Sequence, residues 1–420
     1  MHTSTRGEKV VIVGAGHAGG TMAGVLRQQG FTGAITLIGD EPDAPYHRPP
    51  LSKKFTDPSM VQWLKPAEFY AENNIDLVLG HRVTGVDPTG RTVELDDGRI
   101  IDYSALVLAT GASPRRLPVP GTDLPKVLTL RTLTDARRLG ACLRDARSLA
   151  IVGGGYIGME VAAVARSKGI AATIIEREDR ILARVASSRL SSFLRDYHTA
   201  RGTTILTGRD VTAFEESGPT ISIVSSTAHT LSADVVVVGV GAVPNQELAQ
   251  QCGATCSPLG IVVDRVGNTD VPGVLAIGDV THRPHDRLDG LHRMESIPSA
   301  VEQAKAAAAT ILRSEAGTHE TPWFWSDQFD LKLKIAGILE AGTTTIERAT
   351  SAQPESFALF HLRPDDTVCA VETCNSPGDF MAGKKLITDR LPVDARLLSD
   401  PDRTMREVLD QAKTASVSVK

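Results

Sequence analysis

Lys9-Val10-Val11-Ile12-Val13-Gly14-Ala15-Gly16-His17-Ala18-Gly19 decides the fold. Four consecutive β-branched residues read as a buried strand, and G-x-G-x-x-G follows directly. A helix-like segment then runs to Gln29, Gly30 breaks it, and a second apolar run from Ala34 to Ile38 ends at Asp40. Strand, glycine turn, helix, strand and acid, in that order, make a dinucleotide-binding unit. Gly14 permits the tight turn, Gly16 lets a pyrophosphate approach the backbone, and Gly19 lets helix and strand pack closely. The helix start offers free N–H groups and the positive end of its dipole to the phosphates. Asp40 stands where a carboxylate accepts ribose hydroxyls.

The order occurs twice. Ala150-Ile151-Val152 precedes Gly153-Gly154-Gly155-Tyr156-Ile157-Gly158, a helix from Met159 stops near Gly169, and the strand Ala172 to Ile175 ends at Glu176. Gly153, Gly155, Gly158 and Glu176 repeat the roles of Gly14, Gly16, Gly19 and Asp40. Two complete units imply two dinucleotides.

The rest of the chain fits around this repeat. Glu41 to Lys53 contains four prolines and reads as a stiff loop that delivers Leu51, Ser52 and Lys53 to a fixed place. Short strands are expected near Asp76 to Leu79 and Arg82 to Val86, and a hairpin turns at Asp96-Asp97-Gly98. Tyr103 to Thr110 and Val235 to Val240 are buried strands with glycine exits at Gly111 and Gly241. Val274 to Asp279 reads as another strand ending in an acid, and Pro298 opens an alanine-rich helix that runs to about Arg313. From Thr321 strand and turn signals alternate until a final helix near Asp402, the pattern of a separate α+β domain.

Composition sets limits. A length of 420 residues suits two or three domains, and 41% hydrophobic residues suffice for their cores. A net charge of −5 argues against nucleic acid as a partner. No apolar run approaches a membrane span, and the polar start lacks a signal-peptide core. Five sparse cysteines suit a reducing cytoplasm, and Cys252 and Cys256 have no second ligand pair, so no metal is expected.

Taken together, these motifs resemble the glutathione-reductase-type flavoproteins. More narrowly, they resemble the FAD-dependent, NADH-using ferredoxin reductases of cytochrome P450 and Rieske dioxygenase systems. Glu295-Ser296-Ile297-Pro298 helps to carry the resemblance, and the narrower likeness rests on Arg48-Pro49-Pro50-Leu51-Ser52-Lys53 and Pro322-Trp323-Phe324-Trp325-Ser326-Asp327-Gln328. It implies an α/β fold of two Rossmann-like domains of the glutathione reductase type plus a C-terminal α+β domain. The expected division is 1–113 with 248–322 for FAD, 114–247 for NAD, and 323–420 for the C-terminal domain.

The resemblance also implies site residues. Ala18, Asp40, Lys53, Val83, Arg131, Asp279 and Ile297 are expected at a non-covalent FAD, beside Gly14, Gly16 and Gly19. Asp279 can reach the ribityl or phosphate region, and the helix from Ile297 can aim its positive end at the flavin N1/O2 edge. Val83 and Arg131 follow from the match alone. Lys53 and Glu160 are expected as a pair beside the flavin, and Glu160 and Gly241 join the NAD set. No cysteine occurs between Gly14 and Ala141, so the thiol relay of the disulfide reductases is missing. Hydride is therefore expected to pass from NADH to FAD, and single electrons from there to a [2Fe-2S] ferredoxin. Because ferredoxins are usually acidic and this chain is net negative, docking needs a local basic patch, expected at Trp325 with Lys305 and Lys334. Two alternatives remain: a reductase of a small acceptor such as a quinone or monodehydroascorbate, and a flavin-holding interaction protein resembling apoptosis-inducing factor.

Overall fold

The computed structural model describes residues 7–226, 230–286, 288–317, 320–349 and 355–418. The chain divides into two compact units. One comprises Met1–Pro50, Ser59–Ser113 and Ala242–Glu320; the other comprises Leu51–Pro58, Pro114–Gly241 and Thr321–Lys420.

The first unit is built on a parallel sheet in the order Val274–Ala276, Ala105–Leu108, Lys9–Val13, Ala34–Gly39, Ile75–Leu79. Lys9–Val13 sits at its centre because both faces of Val10, Val11 and Ile12 are buried, as a central parallel strand requires. The helix His17–Gln28 packs with the helix Ile297–Ile311, where Ala300, Ala304, Ala307 and Ala308 share a core with Met22, Ala23 and Leu26. Small side chains at this helical spacing let the two helices approach. The expected hairpin forms, with Val83–Asp87, Thr92–Leu95 and Ile100–Asp102 in one antiparallel sheet.

The second unit repeats the plan in the order Thr204–Leu206, Ala171–Ile175, Ser148–Val152, Val235–Val238, Val127–Leu128, again parallel. It also holds a five-stranded antiparallel sheet, Trp323–Gln328, Leu331–Gly337, Val368–Cys374, Phe357–Leu362, Thr344–Ala349. The helices Pro377–Asp389 and Met405–Ser418 bury Phe380, Leu386 and Val408 in the same core as Phe360 and Val371 of that sheet.

Three local expectations are corrected. The strand expected over Tyr103 to Thr110 is Ala105–Leu108; the Tyr103 amide bonds Arg91 O instead of the parallel ladder. The proline loop contains a one-turn helix, Pro50–Lys53, because proline is compatible with a first helical position. The strand ending in an acid stops at Ala276; Gly278, at φ +82°, turns the chain into the 3-10 turn Gly278–Val280 that carries Asp279. Among the described residues, no helix is long and apolar enough to cross a membrane.

Candidate functional site

The two glycine turns are built alike. Gly14 has φ +114° and Gly153 φ +111°, the left-handed side that disfavours a side chain. A Cβ at Gly14 would lie 2.2 Å from Ala109 O, and one at Gly153 2.4 Å from Gly239 O. In each case the turn lies against the carbonyl of the neighbouring strand's exit. Gly19 and Gly158 press as closely on Gly14 O and Gly153 O, at 2.0 and 2.3 Å from the same hypothetical atom. Each helix begins at a glycine N-cap, Gly16 or Gly155, with no side chain capping it. The amides at these helix starts are therefore available to an anion.

Around the first turn, Ala18 is buried, Asp40 is exposed just past its strand, and Val83 is buried at the start of its strand. Gln303, on the helix Ile297–Ile311, holds the turn that carries Asp279. Its Oε1 accepts from Gly278 N at 2.9 Å and from Thr281 Oγ1 at 2.8 Å. Ser296 caps that helix by accepting from Ser299 N, which leaves Ile297 as its first residue. His17 follows Gly16 directly, and its ring lies 5.0 Å from that of His47. Its Nδ1 is buried and has no hydrogen-bond partner among the described residues. Burial and then His47 pull this imidazole down to about 4, with Asp279 opposing and Arg48 adding to the fall. His17 is therefore a neutral ring near neutral pH. A buried polar atom without a partner among the described residues, beside a turn that tolerates no Cβ and an uncapped helix start, fits the phosphate end of FAD.

In the second unit, Glu176 is fixed by the backbone. Its Oε2 accepts from Gly154 N at 2.6 Å and its Oε1 from Glu178 N at 2.9 Å. The carboxylate is thus aimed beside the second turn, where a nicotinamide dinucleotide would place its ribose. A Cβ on Gly155 would meet nothing within 4 Å, so this approach is open. Tyr156 Oη is buried without a partner among the described residues, its ring meets Phe324 edge-on at 5.0 Å, and burial raises the phenol well above its ordinary range. Gly241 is exposed at φ +108°. These features fit NADH on this turn as the first set fits FAD. Arg131, also in this unit, is half-buried just before the capping residue Thr132.

The expected pair of Lys53 and Glu160 forms. Lys53 Nζ donates to Glu160 Oε1 at 2.8 Å, and Ser52 Oγ donates to Oε2 at 2.5 Å. Glu160 is 3% exposed, so the pair lies in a low-dielectric setting. Such a pair adds little net stability, but removing one partner strands a buried charge at a cost of about 3–5 kcal/mol. Its value is a positive charge held at a fixed atom.

Of the expected docking residues, Lys305 is exposed on the first unit's long helix. Trp325 and Lys334 are half-buried cross-strand neighbours in the C-terminal sheet. Lys334 Nζ also lies 5.3 Å from the centre of the Phe380 ring.

The family model described as pyridine nucleotide-disulphide oxidoreductase matches residues 8–304, and the one described as reductase C-terminal matches 323–409. The chain belongs to this family. Curated relatives match it over nearly its whole length. "Probable ferredoxin reductase CtmF" of Castellaniella defragrans is 42% identical over 94% of this chain and 97% of its own length. "Putidaredoxin reductase CamA" of Pseudomonas putida is 39% identical over 97% and 98%. The reductase in a solved covalent putidaredoxin reductase–putidaredoxin complex superposes with a TM-score of 0.92 at 38% identity, covering 97% of this chain and 99% of that one.

Sequence reading missed His17, Gln303 and the serine hydroxyls that donate to Glu160. His17 occupies a variable place in the glycine motif, and a polar residue there was the available signal. Nothing local marked Gln303. Cys252 and Cys256 are thiols bonded to the carbonyls of Ala249 and Ala254, and burial raises both.

Proposed function

We propose that this chain is an NADH-dependent FAD flavoprotein that reduces a [2Fe-2S] ferredoxin of a P450 or Rieske oxygenase system. The balanced reaction is NADH plus two oxidised ferredoxins giving NAD⁺, two reduced ferredoxins and one proton. The observation that carries this reading is the pairing of two complete dinucleotide turns with a cysteine-free stretch from Gly14 to Ala141. Electrons arriving at the first turn meet no thiol there, and relatives matched over 94% and 97% of the chain are named as a probable ferredoxin reductase and a putidaredoxin reductase.

In this reading FAD, when bound, supplies the conversion between two-electron and one-electron transfer. The protein's own groups bind and orient. Gly14, Gly16 and Gly19 receive the FAD pyrophosphate, with Ala18 packed behind the turn and Asp40 taking the adenosine ribose. Asp279 faces the chain between phosphate and flavin. The helix beginning at Ile297 turns its positive end toward the place where negative charge develops. Val83 and Arg131 complete that set. Gly153, Gly155, Gly158 and Gly241 receive NADH, and Glu176, clamped by two amides, accepts its ribose hydroxyls. The Lys53 ammonium, held by Glu160, fixes a positive charge for the flavin ring. Domain limits at 1–113 with 248–322, 114–247 and 323–420 are part of the proposal, as are ferredoxin docking at Trp325, Lys305 and Lys334 and a cytoplasmic location consistent with five free thiols.

The test uses one preparation. Acid precipitation should release free FAD, and NADH should drive reduction of an added [2Fe-2S] ferredoxin faster than of a benzoquinone at equal concentration. Turnover with the quinone alone would replace this reading with that of a small-acceptor reductase. A stable flavin–NADH complex without turnover would replace it with that of a flavin-holding interaction protein.

A further inference from the structure

Glu160 has a third donor, and that donor ends a longer chain of buried groups. Ser326 Oγ donates to Glu160 Oε1 at 2.6 Å. Gln328 Nε2 donates to Ser326 Oγ at 3.1 Å. His198 Nε2 lies 3.0 Å from Gln328 Oε1, an atom that can only accept, so the ring carries its proton on Nε2. His198 Nδ1 then accepts, facing Thr203 Oγ1 at 3.5 Å. His198, Ser326 and Gln328 are each 0% exposed. The groups come from three elements of the second unit: the helix Tyr156–Ser167, the strand Trp323–Gln328 and the helix Ser188–Ala200.

Every donor in this chain points toward Glu160. Its direction follows from the acceptor-only ends, the Gln328 carbonyl and the carboxylate. The amide in the middle limits what the chain does. A proton cannot hop through a side-chain amide without leaving it as an imidic acid, so this is no conducting wire. It is a string of aligned dipoles, and aligned hydrogen bonds in a low-dielectric interior strengthen one another. Burial, with Arg201 nearby and the Gln328 bond opposing, brings the His198 imidazole down to about 4, so near neutral pH the ring is a single donor. The dipoles end on a carboxylate that Lys53 also holds, and a hydrogen bond to a charged partner is the strong kind.

We propose that Ser326, Gln328 and His198 are positioning residues for the reaction, aiming the Glu160 carboxylate and, through it, the Lys53 ammonium, while touching neither cofactor. This rests on the reading of Lys53 as a flavin contact. Lys53 sits on a helix of one turn, and its ammonium stays in place only as well as its carboxylate does. The packing alternative is that the chain merely fastens the helix Ser188–Ala200 to the strand Trp323–Gln328.

A double-mutant cycle separates the two. Ser326→Ala, Gln328→Met and Glu160→Gln are made singly and in pairs, each checked for FAD content and thermal melting. Flavin reduction by NADH is followed by stopped flow over a range of NADH concentrations, and the flavin midpoint potential is measured. The expectation is that Ser326→Ala lowers the limiting rate about tenfold, the worth of a hydrogen bond to a charged group, and that Gln328→Met, which removes the donor that orients the Ser326 hydroxyl on the carboxylate, lowers it to a similar extent. Half-saturation by NADH should move less than about twofold, and the midpoint potential should fall as the positive charge loosens. In the Glu160→Gln background the same substitutions should change the rate less than about twofold, because their route of action is gone. His198→Gln, whose amide still donates, should hold the rate within about threefold of wild type, whereas His198→Leu should match Gln328→Met. Losses that simply add in the Glu160→Gln background, or a Ser326→Ala protein with wild-type rate and potential, would overturn the proposal. Should Gln328→Met not retain FAD, Ser326→Ala, which deletes a single heavy atom, decides by the same criteria. A wild-type protein that NADH does not reduce would overturn the functional reading itself and this inference with it, whereas additivity overturns only the inference.

Discussion

Lowering the pH from 7 to 5 should destabilise the second unit through His198. This imidazole is held down to about 4 by burial from an ordinary 6.5, so between those values the unfolded chain binds a proton that the folded one does not. Stability therefore rises with pH through that window and levels off above 6.5. Integrating between pH 7 and pH 5 with these two values gives a loss of about 2 kcal/mol from this one group. Urea unfolding followed by tryptophan fluorescence is a suitable assay, because Trp323 and Trp325 lie in the same unit and on the strand that carries Gln328. Other groups titrate too, so the informative quantity is a double difference. The wild-type loss between pH 7 and pH 5 is compared with that of His198→Gln, which keeps an amide donor to Gln328 but cannot protonate. The wild type should lose about 2 kcal/mol more than the variant. Equal losses would mean that the ring is not held neutral by its surroundings, and the assignment of its single Nε2 proton would fall with it.

Gly153→Ala should retain FAD yet lose NADH-driven flavin reduction, because the new Cβ meets Gly239 O at a residue with φ +111°; normal NADH kinetics in the variant would show that this turn does not receive the nicotinamide dinucleotide. Glu176→Ala should lower catalytic efficiency with NADH by at least about tenfold and with NADPH much less, since it removes a charged acceptor for ribose hydroxyls. An equal fall with both cofactors would place the ribose elsewhere. Lys305→Glu combined with Lys334→Glu should slow ferredoxin reduction several-fold at low salt, and wild-type ferredoxin reduction should itself weaken with added salt as charges are screened over about 8–10 Å. Unchanged ferredoxin kinetics at low salt would move the docking face away from these lysines.

Much of the fold was legible because its signals are local. The run Val10 to Val13 with its glycine turn, and the copy at Ala150 to Gly158, each fix a strand, a turn and a helix within about thirty residues. The hairpin at Asp96-Asp97-Gly98 was equally readable. The site was legible only where its members share such a motif. Glu176 could be placed beside the second turn, but not its clamp by Gly154 N and Glu178 N. Glu160 receives Ser326 from 166 residues away and Ser52 from 108 away, and no periodicity encodes partners at that separation. The turn at Gly278 defeated the strand reading because a single positive φ reverses a run of otherwise strand-like residues.

The division of the chain constrains how the molecule can be cut. Leu51–Pro58 belongs to the second unit but is flanked on both sides by segments of the first, so the chain changes unit at 50/51, 58/59, 113/114, 241/242 and 320/321. A fragment assembled from 114–241 and 321–420 looks like a natural excision of the second unit, yet it discards Ser52 and Lys53. Glu160 would then keep Ser326 as its one donor among the three described here, and losing the partner of a buried ion pair costs about 3–5 kcal/mol against folding. These eight residues, set apart in the sequence from the rest of their unit, are thus part of what that unit needs to fold. A separable second unit from this scaffold needs that short segment grafted back, or an uncharged residue of similar shape in place of Glu160.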